Sequence, residues 1–368
     1  MIKQTPYKIA LVGEMLSRGG AEKVQARLSF FFEAQGIEVH HIIVQDLVTY
    51  EYAGALFNMG KLKNTSNNLQ NRLFRLKALK KYLKDHNFDF IIDFRVKNKP
   101  FQELVLAKWV YNKPYVMNIS SFKTQFYFPK NRSLAKFIYK DAFGFVTVSK
   151  AVKEKIENLY NCNNVQTIYN PINTEALEKS ANEALEINYN FILGIGRMQD
   201  NIKQFDHLIL AFKNSEAIKH NIKLLLIGDG AYRRELEAFA LKEGVEQEVV
   251  FESYQENPYP FMKQARFMAL TSKNEGFPNV LIESLACGTP LVAYNCESGP
   301  DEIISPEYNG LLVKNQDIDA MTEAINRMIN DEELYQLCKS NAKNSVKQFD
   351  INAIGKQWLD FLKIPTQL

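Results

Sequence analysis

Short apolar runs alternate along this chain with longer stretches in which apolar positions recur every three or four residues, the pattern of strands and amphipathic helices that feed a parallel sheet. The first repeat of that pattern reads as a buried strand over residues 8–12, a loop at Ser17-Arg18-Gly19-Gly20, a helix over 21–35 closed by Gly36, and a second strand over 38–44. Strands are expected again at 90–94, 115–119, 144–148 and 165–169, which completes one open α/β domain. A polar, helix-prone stretch over about 173–188 carries no strand signal. The alternation then restarts, with strands expected at 191–194, 223–227, 248–251, 267–270, 291–294 and 311–313. A last helix over about 351–362, with Trp358 and Phe361, has an apolar face that suits either domain. The expected boundaries are 1–173, 174–345 and a terminal helix in 346–368 that crosses back to the first domain.

Length supports this division, because 368 residues exceed what a single hydrophobic core usually serves. With 46% apolar and 24% charged residues, and no repeat or low-complexity tract, the composition is that of an ordinary globular protein. Cys162, Cys287, Cys296 and Cys338 lie far apart without metal-ligand spacing, which points to a reducing cytosol. The start, Met1 to Pro6, runs into an apolar stretch over 9–12 that is too brief for a signal segment or a membrane span. Charge changes the picture more. Residues 1–185 carry 27 basic and 16 acidic side chains, net +11, whereas the remainder carries 18 and 26, net −8. Residues 61–140 alone hold 18 Lys/Arg against 4 Asp/Glu, with aromatic residues mixed among them, and such a surplus points to an anionic membrane or nucleic acid as partner.

The most informative chemistry lies in 272–290. This segment follows an expected strand, and Pro278 suits the first turn of a helix whose far end is marked by Gly288 and Pro290. A helix start of this kind offers free N–H groups and about half a positive charge, which suits a nucleotide diphosphate. Glu275 stands in the loop and Glu283 about one turn into the helix, so two carboxylates at two depths can accept hydrogen bonds from sugar and ribose hydroxyls.

This segment resembles the E-x7-E signature of glycosyltransferase family 4. Other blocks follow in that family's order: Gly194-Ile195-Gly196-Arg197-Met198 with Lys203, Ile227-Gly228-Asp229-Gly230, Gly299-Pro300-Asp301-Glu302-Ile303-Ile304, and Asn309-Gly310-Leu311-Leu312-Val313. Gly19-Gly20-Ala21-Glu22, Val148-Ser149 and Tyr169-Asn170-Pro171 match in the first half. The resemblance implies an α/β fold of GT-B type, two Rossmann-like domains whose parallel sheets face a central cleft, and a retaining, metal-independent transfer from a nucleotide sugar.

It also implies roles. Arg197 and Lys203 would clamp the diphosphate, the one as a fixed fork and the other as a mobile charge. Glu275, with the backbone amides of Gly276 and Phe277, would hold the donor hexose, and Glu283 the ribose; Pro278, Asn279 and Val280 would also bind the donor. Gly196 and Gly228 would let backbone approach the donor, and Gly19 and Gly20 would do so from the first domain. Ser253 and Tyr254 fall in the loop that cradles the base, with Ser253 where the family usually has glycine; Glu302 is a further donor-side candidate. Where many relatives carry an acceptor-side histidine, this chain has Ser120-Ser121-Phe122.

Neither a zinc-type spacing of His40, His41, His86, His207 and His220 nor a nucleophile elbow, Walker lysine or complete dinucleotide fingerprint is present, so no metal or cofactor is expected beyond the nucleotide sugar, with UDP the family's habit. The expected mechanism is front-face displacement, with a donor phosphate oxygen taking the acceptor's proton. On the acceptor side, Lys61, Lys63, Arg72, Arg75, Lys77, Lys80, Lys81 and Lys84, with Phe122, Phe126, Tyr127, Phe128, Lys130 and Arg132, would hold the enzyme on anionic lipid, and Ser120, Ser121 and Lys123 would meet a lipid-diphosphate-linked glycan. That reading makes the chain a peripheral enzyme on the cytoplasmic face of the plasma membrane. A soluble acceptor is the first alternative, and a non-enzymatic nucleic-acid binder the second.

Overall fold

The computed structural model describes residues 6–64, 68–97 and 99–366; Met1 to Thr5, part of the N-terminal stretch read above, lie outside the described residues. The chain forms two compact units, Met1–Pro171 together with Ile351–Leu368, and Ile172–Asp350.

In the first unit seven strands form a wholly parallel sheet in the order β3-β2-β1-β4-β5-β6-β7. They are β1 (Lys8–Gly13), β2 (Glu38–Ile43), β3 (Ala55–Asn58), β4 (Phe90–Asp93), β5 (Tyr115–Ile119), β6 (Gly144–Thr147) and β7 (Val165–Thr167). Because helices cover both faces, neighbouring residues of one strand serve different cores. Ala10 and Val12 of β1 join Leu79 and Leu83 of the Leu69–His86 helix and Ile138 of the Arg132–Tyr139 helix. Ile9 and Leu11 join Val24, Leu28 and Phe32 of the Gly20–Ala34 helix and Trp358 of the Ile351–Leu362 helix. That terminal helix thus belongs to the first unit. A Cβ on Gly355 would stand 2.4 Å from the Phe31 ring, so the absence of a side chain is what lets the two helices pack this closely. The periodicity passed over β3, a four-residue strand at the sheet edge with no fully buried position.

The second unit repeats the plan with six parallel strands in the order β10-β9-β8-β11-β12-β13. These are β8 (Asn190–Ile195), β9 (Ile222–Ile227), β10 (Val249–Glu252), β11 (Phe267–Leu270), β12 (Leu291–Asn295) and β13 (Gly310–Lys314). Its core joins Ile192, Leu224, Leu226, Phe267 and Val292 to Leu208, Phe212, Met321 and Ile325 of the overlying helices. In both sheets the strand order reverses direction beside the first strand, between β1 and β4 and between β8 and β11, where open α/β sheets bind ligands. The two-domain α/β architecture expected from the sequence is therefore observed. All four cysteines are free, and no helix among the described residues is long and apolar enough to cross a membrane.

Candidate active site

The residues of the second unit that were expected to bind the donor gather at the carboxyl ends of four adjacent strands. Gly196, Arg197 and Lys203 follow β8, Gly228 follows β9, Ser253 and Tyr254 follow β10, and the loop from Thr271 to Pro278 follows β11. Parallel pairing of β8 with β11, with Phe267 opposite Ile192, places two of these loops side by side. They are tied together. Lys273 N–H donates to the Ile202 carbonyl at 2.8 Å, and the Thr271 hydroxyl donates to the carbonyls of Lys203 and Gln204 at 3.0 and 2.9 Å.

In this setting the Lys203 ammonium donates to Glu275 Oε1 at 2.6 Å, with side-chain exposures of 21% and 14%. The lysine stem runs over Gly196, where a Cβ would lie 3.0 Å from Lys203 Cγ. Arg197 is exposed and, among the described residues, makes no side-chain ion pair or hydrogen bond. Glu283 is 3% exposed within the Asn279–Ala286 helix. Neither glutamate is thus an ordinary solvated surface carboxylate. Pro278 differs from expectation by one position: it is the cap residue before the helix rather than part of its first turn. The Phe277 side chain packs on Phe349 with ring centroids 5.5 Å apart.

Close glycine contacts fix the rest. Gly228 has φ +152°, and a Cβ there would stand 2.0 Å from the Gly196 carbonyl oxygen, so the turns after β8 and β9 nest backbone to backbone. Asp229, quoted above only as part of a motif, organises the loop after β10: its carboxylate accepts from Tyr254 N–H at 2.7 Å and from Arg233 at 3.2 Å. Ser298 donates to the Gly276 carbonyl at 2.7 Å and braces the Glu275 loop from the far side. A single polar side chain whose partner is a distant backbone carbonyl leaves no periodic trace, so this brace is invisible in the sequence.

The remaining candidates, the expected donor-side pair Gly19 and Gly20 and the expected acceptor-side residues, belong to the first unit. Gly19 and Gly20 begin the helix after β1, and Ser120, Ser121 and Lys123 follow β5. The two serines serve their own loop: Asn118 donates to Ser120 Oγ at 2.7 Å, and Lys123 N–H donates to Ser121 Oγ at 3.2 Å. Lys77, Lys80 and Lys81 lie on the Leu69–His86 helix, with Lys80 Nζ 4.0 Å from the Trp109 ring centre; Lys130 and Arg132 are exposed. Three members of the lipid-facing set need correction. Tyr127 and Phe128 are buried in the core with Ile138 and Phe145, and so cannot meet a lipid surface. Arg75 is largely withdrawn as well, donating to the Val44 carbonyl at 3.0 Å.

Sequence reasoning also missed a buried ionic network after β4. Arg95 bonds Asp93 Oδ2 at 2.7 Å and Glu103 Oε2 at 3.2 Å, while Lys97 donates to the Arg95 carbonyl at 2.7 Å and Tyr111 donates to Asp93 at 2.9 Å. Burial opposes ionisation of Asp93, yet Arg95 and Lys97 beside it hold its carboxyl below the usual range; burial pulls the Lys97 ammonium down. Three alternating charges near a strand end carried the only sequence signal. Among the described residues one group, Glu38, His40 and His86, brings three metal-type donors within 4.8 Å of one another, at the amino end of β2. Lys8 binds Glu38 at 2.7 Å and Tyr82 meets His40 at 2.6 Å, so two of the three groups have partners from neighbouring side chains.

Comparison with known proteins decides what this geometry belongs to. The family model for glycosyl transferases group 1 matches residues 176–345, and that for glycosyltransferase family 4 matches residues 18–176. The chain is a GT-B glycosyltransferase related to these two groups. Over 366 residues, covering 96% of this glycosyltransferase and 99% of the relative, it is 29% identical to the N-acetylgalactosamine-N,N'-diacetylbacillosaminyl-diphospho-undecaprenol 4-alpha-N-acetylgalactosaminyltransferase of Campylobacter jejuni. It is 26% identical over 334 residues to the lipopolysaccharide 1,6-galactosyltransferase of Escherichia coli, covering 88% and 90% of the two chains. The glycosyltransferase also shares its fold with HepE of Anabaena, solved in complex with UDP and glucose, at TM-score 0.78, 19% identity and coverage of 97% and 99%. A non-enzymatic nucleic-acid binder is therefore not the reading to pursue.

Proposed function

We propose that this glycosyltransferase moves a hexose or N-acetylhexosamine, with retention and without a metal, from a UDP-sugar to a lipid-diphosphate-linked oligosaccharide during surface-glycan assembly. The observation that carries the proposal is the Lys203–Glu275 contact at 2.6 Å, at the carboxyl ends of β8 and β11, with the Arg197 guanidinium open to solvent close by in sequence. An ammonium held against a carboxylate keeps both groups in place until a diphosphate arrives; Lys203 can then turn to the phosphates and leave Glu275 to accept from the hexose hydroxyls. Arg197 adds a second positive charge as the sugar–phosphate bond breaks, and a donor phosphate oxygen takes the acceptor's proton, so catalysis rests on positioning and charge stabilisation. Glu283 is assigned to the ribose and the Ser253–Tyr254 backbone to the base.

Support for the acceptor comes from the Campylobacter relative, whose name specifies an undecaprenol-diphosphate-linked acceptor and which matches this chain almost end to end. The surplus of basic residues over 61–140 supports a peripheral location on the cytoplasmic face of the plasma membrane. The test is transfer from a panel of UDP-sugars to an undecaprenyl-diphosphate-linked glycan, with EDTA present and the anomeric configuration of the product read by NMR. Retention without added metal is expected from the native chain, and loss of turnover in Glu275→Ala with an unchanged melting curve. Full activity in that variant would remove Glu275 from the mechanism, and an inverted product would overturn the retaining assignment.

A further inference from the structure

Among the described residues, fifteen large apolar side chains are exposed, and eleven of them lie in the first unit. Those of the second unit, such as Leu241 and Leu337, are scattered, as is normal for a soluble surface. In the first unit they concentrate on one layer. Leu73 and Phe74 (56% exposed) stand on the Leu69–His86 helix, Trp109 (44%) on the helical turn Leu106–Val110, and Leu134 and Phe137 (53%) on the Arg132–Tyr139 helix.

These three elements are neighbours over a single face of the sheet, because their inward residues Leu79, Leu83, Leu106, Val110 and Ile138 share one core. Their outward side chains also touch in sequence across the layer. Lys80 Nζ sits 4.0 Å from the centre of Trp109, and Lys108 Nζ sits 5.3 Å from that of Phe137. Lysines fill the intervals: Lys77, Lys81 and Lys84 on the first helix, Lys136 and Lys140 on and just beyond the last. Over residues 69–86 there are six basic side chains and one acidic, Asp85, which Lys81 already pairs at 2.6 Å. The acid beside the last helix, Asp141, is paired by Lys108.

We propose that the outward face of this layer is a bilayer-inserting surface for anionic phospholipid, in which Phe74, Trp109 and Phe137 enter the headgroup–acyl boundary and the surrounding lysines bind the headgroups. The proposal rests on, and deepens, the peripheral-membrane part of the proposed function, replacing purely electrostatic attachment by insertion. The occupant follows from the chemistry. Aromatic and aliphatic tips framed by cations match the boundary of an anionic leaflet, where rings sit at headgroup depth and long lysine stems reach the phosphates. A second copy of the chain on the same patch would press one cationic face against another.

Sedimentation with vesicles of phosphatidylcholine alone, and of phosphatidylcholine with phosphatidylglycerol, tests the surface without any sugar donor. Failure of binding therefore leaves the transferase reading standing, and an inactive enzyme that still sediments leaves the surface standing. The native chain is expected to bind the anionic vesicles, to keep a measurable fraction bound at about 0.5 M salt, where surface charge is screened, and to shift its tryptophan emission to the blue. That shift reports Trp109, since Trp358 is buried. Replacing Phe74, Trp109 and Phe137 together by serine is expected to weaken partitioning by roughly a hundredfold or more, with melting unchanged because all three are exposed. Should the triple variant melt early, Phe74→Ser alone carries the test, with roughly a tenfold loss expected. Native protein that ignores anionic vesicles, binding abolished by salt with no spectral shift, or serine variants that partition like the native chain would each overturn the proposal. So would light scattering that finds a lipid-indifferent dimer which the variant dissociates.

Discussion

Strand β4 of the first unit and strand β11 of the second occupy the same topological place, each beside the first strand of its sheet, yet the charges that follow them are used in opposite ways. After β4, Asp93, Arg95, Lys97 and Glu103 are buried and consume one another in a closed network. After β11, Glu275 meets a single lysine across a loop contact that water can reach, with Arg197 exposed in the adjoining loop. Full burial of charge makes partners obligatory, since an ion left alone there keeps its desolvation cost; partial exposure makes a partner exchangeable. A closed network fixes loops, whereas an open pair can hand its charges to a ligand. This is the physical reason for assigning the diphosphate to the second unit.

The largest expected effect tests the closed side. Arg95→Ala takes from the buried Glu103 its ion-pair partner and leaves Asp93 with Lys97 alone, and should destabilise the first unit by about 3–5 kcal/mol in urea unfolding; a change below about 1 kcal/mol would mean that the network is not obligatory. Lys203→Ala sharpens the contrast from the open side. It should lower transfer by about a hundred- to a thousandfold while stability moves by about 1 kcal/mol or less. Loss of stability without loss of turnover would reverse the comparison.

A third prediction uses His41, buried on β2 of the first unit beside Gln25. Burial lowers its pKa from 6.5 to about 4, so the unfolded chain takes up a proton that the folded chain refuses. The stability contributed is whole above pH 6.5 and is lost as the pH falls towards about 4, a loss of about 3 kcal/mol in all. Unfolding midpoints measured at pH 7 and pH 4.5 should show it, and His41→Gln should flatten the slope; an equal slope in that variant would assign the acid sensitivity to other groups. The smallest expected effect is Gly228→Ala, whose Cβ would strike the Gly196 carbonyl. About 1–3 kcal/mol of strain is expected in the second unit, together with weaker UDP binding by calorimetry, while Arg95→Ala should leave the UDP affinity of the surviving folded fraction unchanged.

How much of this was readable beforehand varied with the kind of constraint. Apolar runs such as those at β1, β9 and β11 showed themselves because a doubly covered parallel strand has little choice but to be apolar. The loops after β8 and β9 were readable for a related reason: Gly196 and Gly228 stand just past strand ends, where close backbone approach narrows the choice of residue. The edge strand β3 was not readable, since it buries no position fully and so leaves no run. Aromatic residues over 122–137 defeated prediction differently, for periodicity cannot tell Tyr127, which turns into the core, from Phe137, which stays outside.

By itself, then, the sequence determined the two series of strands and helices, the order of the glycosyltransferase-like blocks and the cationic character of the first half, all of which depend on residue type and local spacing. Only the tertiary structure decided that the terminal helix joins the first unit through Gly355, that Lys203 reaches Glu275 across 72 residues, and that Asp93 and its partners are sealed in while Phe74, Trp109 and Phe137 stay exposed. Those facts concern which distant segments meet and how much water remains between them. Local pattern carries no record of either, because a charged or aromatic side chain is written the same way whether it ends in a core, a site or the solvent.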